Sequence, residues 1–242
     1  ISGGAVIHLA DSADKNNKMH IIGTQHEQAA GAAADMYSRI NGNIGLCMTT
    51  SGPGATNLVT SVCNAYFDSI PMVCITGQVS RFRIKPTKKL RQKGFQETDV
   101  VSIFKSITKY SNQILNPLDI KYELEKALFL AKSGRPGPVL LDIPDDLQRE
   151  NINPDELHGY KVKIHTKNLE KELKSFKSLL TKSKRPIMIL GAGVRLANEI
   201  ERTIKFAEEM NIPILLTWGA KDILHHEHNL NMGGIGVCGP RG

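Results

Sequence analysis

No apolar run in this sequence reaches the roughly 18 to 20 residues that a bilayer-spanning helix needs, and no charged and apolar leader opens it, so a membrane location is not expected. Cysteine is scarce, with four in the chain (Cys47, Cys63, Cys74 and Cys238), and none stands in CxxC spacing, which argues against a zinc ribbon or a disulfide framework. Two of the four lie inside apolar runs, as buried free thiols of a reducing compartment would, and we read the chain as cytoplasmic. Aromatic residues are few, at 5%, with a single Trp, too few to interleave regularly with the cations that give the chain its net charge of +7. Without that interleaving or a reader motif, the basic balance does not define a nucleic-acid binder. Ser51-Gly52-Pro53-Gly54 has neither the lysine nor the glycine spacing of a phosphate-gripping P-loop.

What the sequence does have is alternation. Short apolar runs at 44–48, 71–75, 139–143, 187–190 and 214–216 read as buried strands, and amphipathic helical patterns at 55–67, 118–132, 169–180 and 197–210 separate them. This order predicts an α/β fold in which a parallel sheet carries helices on both faces. A polar stretch over 151–167, with Pro154 and Gly159, reads as a linker, after which strand, glycine turn and helix begin again. We therefore expect one domain over 1–155 and the first part of a second, Rossmann-like α/β domain over 156–242.

The stretch from Gly23 to Arg39 holds the first candidate for chemistry. An apolar run, Met19-His20-Ile21-Ile22, reads as a strand that hands over to Ala-rich, helix-favouring sequence, which puts Glu27 in the first turn of a helix. Thr24 and Glu27 have the spacing of a capping box, in which hydroxyl and carboxylate satisfy free backbone donors reciprocally. The same carboxylate turned toward a ligand would leave Thr24 to cap alone, so the two roles compete. The glycine turn 51–54 suits close approach of backbone to a flat ring, or is a plain helix entry. Gly191-Ala192-Gly193 follows a strand and precedes a helix, yet Leu196 stands where a dinucleotide fingerprint needs its third glycine, leaving a simple tight turn as the other reading. His225, His226 and His228 lack a fourth metal ligand and read as a solvated loop, and His8 and His20 as structural.

Taken as a set, Glu27 within Gly23–Arg39, Thr50-Ser51-Gly52-Pro53-Gly54-Ala55-Thr56-Asn57, Asp68-Ser69-Ile70-Pro71, Thr76-Gly77-Gln78, Gly94-Phe95-Gln96-Glu97 and Gly134-Arg135-Pro136-Gly137-Pro138 resemble, in order and spacing, the pyrimidine-binding domain of thiamine diphosphate enzymes, most closely the large subunit of acetolactate synthases. The resemblance covers essentially the whole chain. It implies a thiamine diphosphate site at which Glu27 hydrogen-bonds the pyrimidine N1' and so promotes loss of the thiazolium C2 proton, a role suited by a raised carboxyl pKa. It puts Gly3, Gly4, Pro53 and Asn57 beside the cofactor, and Phe95 and Gln96 beside the substrate. Gln96 would donate to a carbonyl or carboxylate, whereas Phe95 is equally readable as core. Gly191 and Gly193, with the later loop Gly236-Val237-Cys238-Gly239, match the region that lines a non-redox FAD in acetolactate synthases and that persists in relatives without flavin. Asp145 departs from the pattern, which usually has Lys there.

By the same resemblance the chain begins inside the first strand-to-helix loop, at Ile1-Ser2-Gly3-Gly4-Ala5, and stops within the central domain. The domain that carries the diphosphate and Mg2+ motif is then missing, and the chain alone is expected to be inactive. The implied activity is that of a carboligase: pyruvate or a related 2-keto acid is decarboxylated and its two-carbon unit passed to a second carbonyl, in a homodimer or tetramer with the site at the subunit interface and with scope for a regulatory subunit. A non-catalytic relative kept for assembly is the alternative, against which the carboxyl group at Glu27 speaks. A third reading rests on Arg81, Arg83, Lys85, Lys88, Lys89, Arg91 and Lys93, seven cations in thirteen residues with no acid among them, equal to the whole net charge of +7. Like-charge runs are usually solvated and mobile, but Arg83, Lys88 and Arg91 lead into the substrate-side pair and would suit a phosphorylated or nucleotide-linked keto sugar as acceptor.

Overall fold

The computed structural model describes residues 3–87, 89–162 and 168–237. Its contacts divide into two compact units, Ile1–Lys163 and Ile164–Gly242. Residues of the polar stretch read as a linker still pack on the first unit as far as Tyr160, whose ring meets those of Tyr122 and Phe129.

The first unit is a parallel sheet of β1 (Gly45–Thr49), β2 (Met72–Gln78), β3 (Tyr110–Gln113) and β4 (Pro138–Pro144) in the order β1-β2-β4-β3. Residues of β2 alternate between two cores, as the twofold period of a strand requires. Met72 and Cys74 join Cys47 and Leu140 on one face, packed by Ala34 of α2 (Glu27–Asn41), Ala55 of α3 (Pro53–Thr56), Val62 of α4 (Val59–Asp68) and Phe104 of α5 (Val100–Phe104). Val73 joins Val139, Leu141 and Ile143 on the other, where Ala127 and Ala131 of α6 (Ile120–Lys132) and Leu9 of α1 (Ile7–Asp14) cover the sheet. Covering on both faces is the reason β2 and β4 are mainly apolar, with Thr76, Gln78 and Asp142 as the buried exceptions. Each large apolar side chain buried there contributes on the order of 1.5–3 kcal/mol.

The second unit, taken by itself, has β5 (Met188–Leu190), β6 (Ile214–Leu216) and β7 (Asn231–Gly234) in parallel, with α7 (Glu170–Lys182), α8 (Gly193–Leu196) and α9 (Ile200–Glu209). Leu190, Ile214 and Leu216 of its sheet pack with Ala207 of α9 and with Ala220, Ile223 and Leu224. The α/β class with parallel sheets is therefore the observed one.

Several local expectations need correction. Met19 to Ile22 form no strand: they lie in irregular chain with Ile22 75% exposed, because no neighbouring strand among the described residues takes up their backbone groups. The helix expected over 55–67 starts earlier, at Pro53, and breaks at Asn57-Leu58 into α3 and α4. His8 and His20 are exposed and play no buried structural part. The edge strand β3 and the helices α1 and α5 escaped the sequence reading: Tyr110-Ser111-Asn112-Gln113 has no apolar run to mark it, since one of its sides faces no partner strand.

Candidate active site

Because the strands of the first unit are parallel, β1, β2 and β4 all end on one edge of the sheet, and the crevice outside such carboxyl ends is where open α/β sheets hold ligands. Four segments converge there. The helix α2 begins at Glu27 itself, not at the Thr24 that a capping box requires. His26 is the N-cap, extended at φ −146° and ψ 138°, and its Nδ1 accepts the Gln28 N–H at 3.1 Å. Thr24 Oγ1 instead donates to the His26 carbonyl at 3.0 Å. The reciprocal box is thus replaced by an imidazole cap, and the Glu27 carboxylate is released from capping.

The Glu27 side chain is buried, with 7% of its surface exposed, and its Oε2 accepts from Asn57 Nδ2 at 2.9 Å. Asn57 can reach it because the chain breaks there between α3 and α4, leaving the amide at the end of a one-turn helix. Burial pushes the Glu27 carboxyl up, but the Asn57 amide, the Glu27 backbone N–H and the neighbouring His26 together hold it below its ordinary value. The raised pKa anticipated for this group is therefore not what the protein produces on its own: hydrogen bonds to the charged form outweigh desolvation, and Glu27 is a carboxylate at neutral pH. A negative charge in the first turn is also favoured by the helix dipole.

The wall opposite is made of backbone. A Cβ added at Gly54 would stand 2.6 Å from Thr50 Cγ2 and 3.3 Å from Glu27 Oε1, and one added at Gly3 would stand 2.5 Å from Thr50 Cβ. Thr50 Oγ1 also accepts the Ala5 N–H at 3.4 Å. Thr50, to which the sequence reading gave no separate role, is thus the joint at which the Gly3-Gly4-Ala5 segment, the glycine turn and the Glu27 pocket meet. Gly52 is left-handed at φ 62° and leads into Pro53 at the first position of α3. A Cβ at Gly52 would lie 2.8 Å from Gln96 Cβ, so Gln96, itself left-handed at φ 57°, leans on the same turn. Phe95 next to it is 81% exposed and is not a core residue.

The other candidate residues are placed apart or differently. Gly191 and Gly193 lie in the second unit, Gly191 in the turn after β5 and Gly193 as the first residue of α8; neither has a positive φ, and a Cβ at Gly193 would meet nothing within 4 Å. Lys88, Cys238 and Gly239 fall outside the described residues. Arg83 and Arg91 are exposed on the loop between β2 and α5. His228 Nε2 lies 3.0 Å from Glu208 Oε1, and among the described residues no group of three or more His, Cys, Asp or Glu could hold a metal ion.

Beneath the site runs a polar network that sequence reasoning missed. Asp142, fully buried on β4, accepts from Thr76 Oγ1 at 2.7 Å, Gln113 Nε2 at 2.8 Å and Gln78 Nε2 at 3.0 Å, and Gln78 Nε2 also donates to the Thr98 carbonyl at 2.8 Å. Burial lifts the Asp142 carboxyl to about 6 against the three donors that oppose it. A lone Asp inside an apolar strand run was the available signal. Glu97 is the second omission, and its carboxylate accepts the backbone N–H groups of Lys85, Lys93 and Gly94.

Residues 1–103 match the family model described as thiamine pyrophosphate enzyme, N-terminal TPP binding domain, and residues 173–242 match thiamine pyrophosphate enzyme, central domain. With the parallel sheets and the Glu27 pocket, these matches show that the chain belongs to the thiamine pyrophosphate enzymes. Within that class it is similar to proteins named acetolactate synthase. It is 39% identical over 246 residues to the acetolactate synthase large subunit of Corynebacterium glutamicum, covering 99% of this chain and 38% of that protein. A protein of Methanocaldococcus jannaschii named "Probable acetolactate synthase large subunit" is 38% identical over 247 residues, or 99% of this chain and 40% of that protein. Acetolactate synthase 2, chloroplastic, of Nicotiana tabacum is 37% identical over 220 residues, covering 89% of this chain and 32% of that protein. The chain thus spans about 40% of the length of the curated relatives it matches.

Proposed function

We propose that this chain forms the pyrimidine-side half of the active site of a thiamine diphosphate-dependent carboligase of the acetolactate synthase kind, which decarboxylates pyruvate or a related 2-keto acid and joins the two-carbon unit to a second carbonyl. The observation that carries the reading is the Glu27 carboxylate, buried at a helix N-terminus and held by Asn57 against a wall with no side chain at Gly54. Such a cradle fits a flat heteroaromatic ring, for which the missing Cβ atoms leave room. Thiamine diphosphate, when bound, supplies a nucleophilic carbon that adds to a keto acid and takes up the electron pair left by carbon dioxide.

Glu27, anionic on its own, holds a proton on the ring nitrogen opposite it and exchanges that proton as the ring changes tautomer. Asn57 fixes the carboxylate orientation and is a positioning residue. Gly3, Gly4 and Pro53 shape the backbone wall, and Gln96 offers an amide to the substrate carbonyl or carboxylate while exposed Phe95 covers the reacting end. Mg2+ and the diphosphate are assigned to protein outside this chain. Gly191 and Gly193 are the positions assigned to FAD, a reading supported by the open space at Gly193 and tested by flavin absorbance of the purified protein. A homodimer or tetramer agrees with the exposed Met36, Tyr37 and Ile40 on α2, and a regulatory partner with the words "large subunit" in the relatives' names; light scattering and co-purification test these. The cytoplasmic location accompanies this metabolic role.

Glu27→Gln in the complete protein tests the assignment. It should leave the fold and circular dichroism unchanged and lower release of carbon dioxide from pyruvate by roughly 100-fold or more, and wild-type turnover in that variant would overturn the reading.

A further inference from the structure

The basic stretch is an arm of the site whose cations divide into two groups. Arg81 is fully committed to anchoring it: Nε pairs with Asp146 Oδ2 and Nη2 with Glu150 Oε1, both at 2.7 Å, and Nη1 donates to the Leu115 carbonyl at 3.1 Å. Lys85 Nζ donates to the Arg91 carbonyl at 3.3 Å and Lys93 Nζ to the Phe82 carbonyl at 2.5 Å, so both tie the loop to itself. Glu97 closes its neck. Its Oε1 accepts the Lys85 N–H at 2.9 Å and its Oε2 the N–H groups of Lys93 at 2.8 Å and Gly94 at 3.2 Å. Although burial opposes it, these three donors and the Lys85 charge hold the Glu97 carboxyl below its ordinary value.

Of the other described cations of the stretch, Arg83, Lys89 and Arg91 are exposed and have no ion pair to an acid among the described residues. The nearest carboxylate in sequence, Glu97, is already taken up in the neck. On the same loop Phe82 and Phe95 are 65% and 81% exposed, and Arg83 Cζ lies 5.3 Å from the centre of the Phe82 ring. At its far end the loop runs into Gln96, which rests on Gly52 of the turn that also holds Gly54 beside Glu27. A closed arc that leaves three cations and two aromatic faces open, and starts from the wall of a catalytic pocket, has the chemistry of a phosphate clamp. Arginine forks match the paired oxygens of a diphosphate, and an exposed ring suits the flat group that follows.

We infer that the loop from Val79 to Thr98 binds the acceptor substrate, and that this acceptor bears a diphosphate, as a nucleoside diphosphate ester does. The inference rests on the carboligase reading for the word acceptor, but binding is measurable without turnover. Purified protein, free of thiamine diphosphate, is titrated by calorimetry with inorganic pyrophosphate, UDP, ADP and, separately, thiamine diphosphate, at low salt and at about 0.15 M salt where exposed charges are screened. The triple variant Arg83→Ala, Lys89→Ala, Arg91→Ala changes only exposed side chains and is checked for fold by circular dichroism.

Saturable 1:1 binding of pyrophosphate and tighter binding of UDP or ADP are expected, weakened roughly tenfold or more in the triple variant and by added salt. Glu27→Gln should leave this binding unchanged, which separates failure here from failure of the catalytic assignment. No saturable binding, or equal affinity in wild type and triple variant, overturns the inference. So does a loss in the triple variant confined to thiamine diphosphate, which would make the arm a cofactor anchor. Tighter binding to an RNA oligonucleotide or to phosphatidylserine vesicles than to any diphosphate would overturn it in favour of a polyanionic surface.

Discussion

Replacing Asp142 with Asn should stabilise the first unit at neutral pH, although it alters a fully buried, triply hydrogen-bonded side chain. Folding lifts this carboxyl from 3.8 to about 6. A group whose pKa is raised on folding contributes stability that is complete below its unfolded value and is lost as pH rises through its folded one. Two pH units correspond to about 3 kcal/mol at 1.36 kcal/mol each, so the ionised side chain costs the native state about that much above pH 6. An Asn keeps every contact: its carbonyl accepts from Gln78 and Gln113, and its amide donates to the Thr76 hydroxyl, which can accept. Urea denaturation followed by far-ultraviolet circular dichroism, at pH values from 4 to 7.5, gives the difference between wild type and Asp142→Asn. The variant should gain on wild type progressively between pH 4 and 6 and level off above. Parallel curves, or a variant less stable than wild type at pH 7.5, would refute the account of the network.

Two further substitutions probe the site. Asn57→Ala removes the principal donor to Glu27, so the carboxyl should titrate higher; because a depressed pKa stabilises the fold above the unfolded value, acid unfolding should begin at a higher pH, and the acid limb of the complete enzyme's pH–rate profile should move up with it. An unmoved limb would show that Asn57 does not act through Glu27. Gly52→Ala adds a Cβ 2.8 Å from Gln96 at a φ of 62°, and should cost roughly 1–3 kcal/mol in urea and loosen residues 94–97 in hydrogen exchange; a neutral effect would mean that the turn and the Gln96 segment are not in contact.

The sheet was legible because β2 and β4 are buried on both faces and therefore hold runs of apolar residues at 71–75 and 139–141, a pattern that survives without knowledge of partners. The strand β3 was not, since Tyr110 to Gln113 pair on one side only and carry polar residues. Glu27 was legible as a first-turn carboxylate, but its actual cap was not. The preference of Thr24 for capping is a local propensity, and it gives way here to His26, whose extended backbone lets the imidazole accept the Gln28 N–H. The pKa direction of Glu27 depended on Asn57, thirty residues away along the chain and brought in only by the break between α3 and α4. Likewise the basic stretch could be counted from sequence, but which cations anchor the loop and which stay open depended on Asp146, Glu150 and Glu97 in space.

Gly3, Gly52 and Gly54 make the walls of the Glu27 pocket out of main chain, and main chain offers almost nothing for mutation to vary. Any side chain there collides with Thr50, Gln96 or the carboxylate before it meets a ligand. Divergence in what such an enzyme accepts is therefore channelled into the loop from Val79 to Thr98, whose neck is fixed by one carboxylate while its rim is free to change. Substitution should be nearly excluded at the glycines, whereas exchange of exposed Lys89 or Arg91 should leave the fold intact and change what binds, so that new specificities arise on the rim without rebuilding the floor.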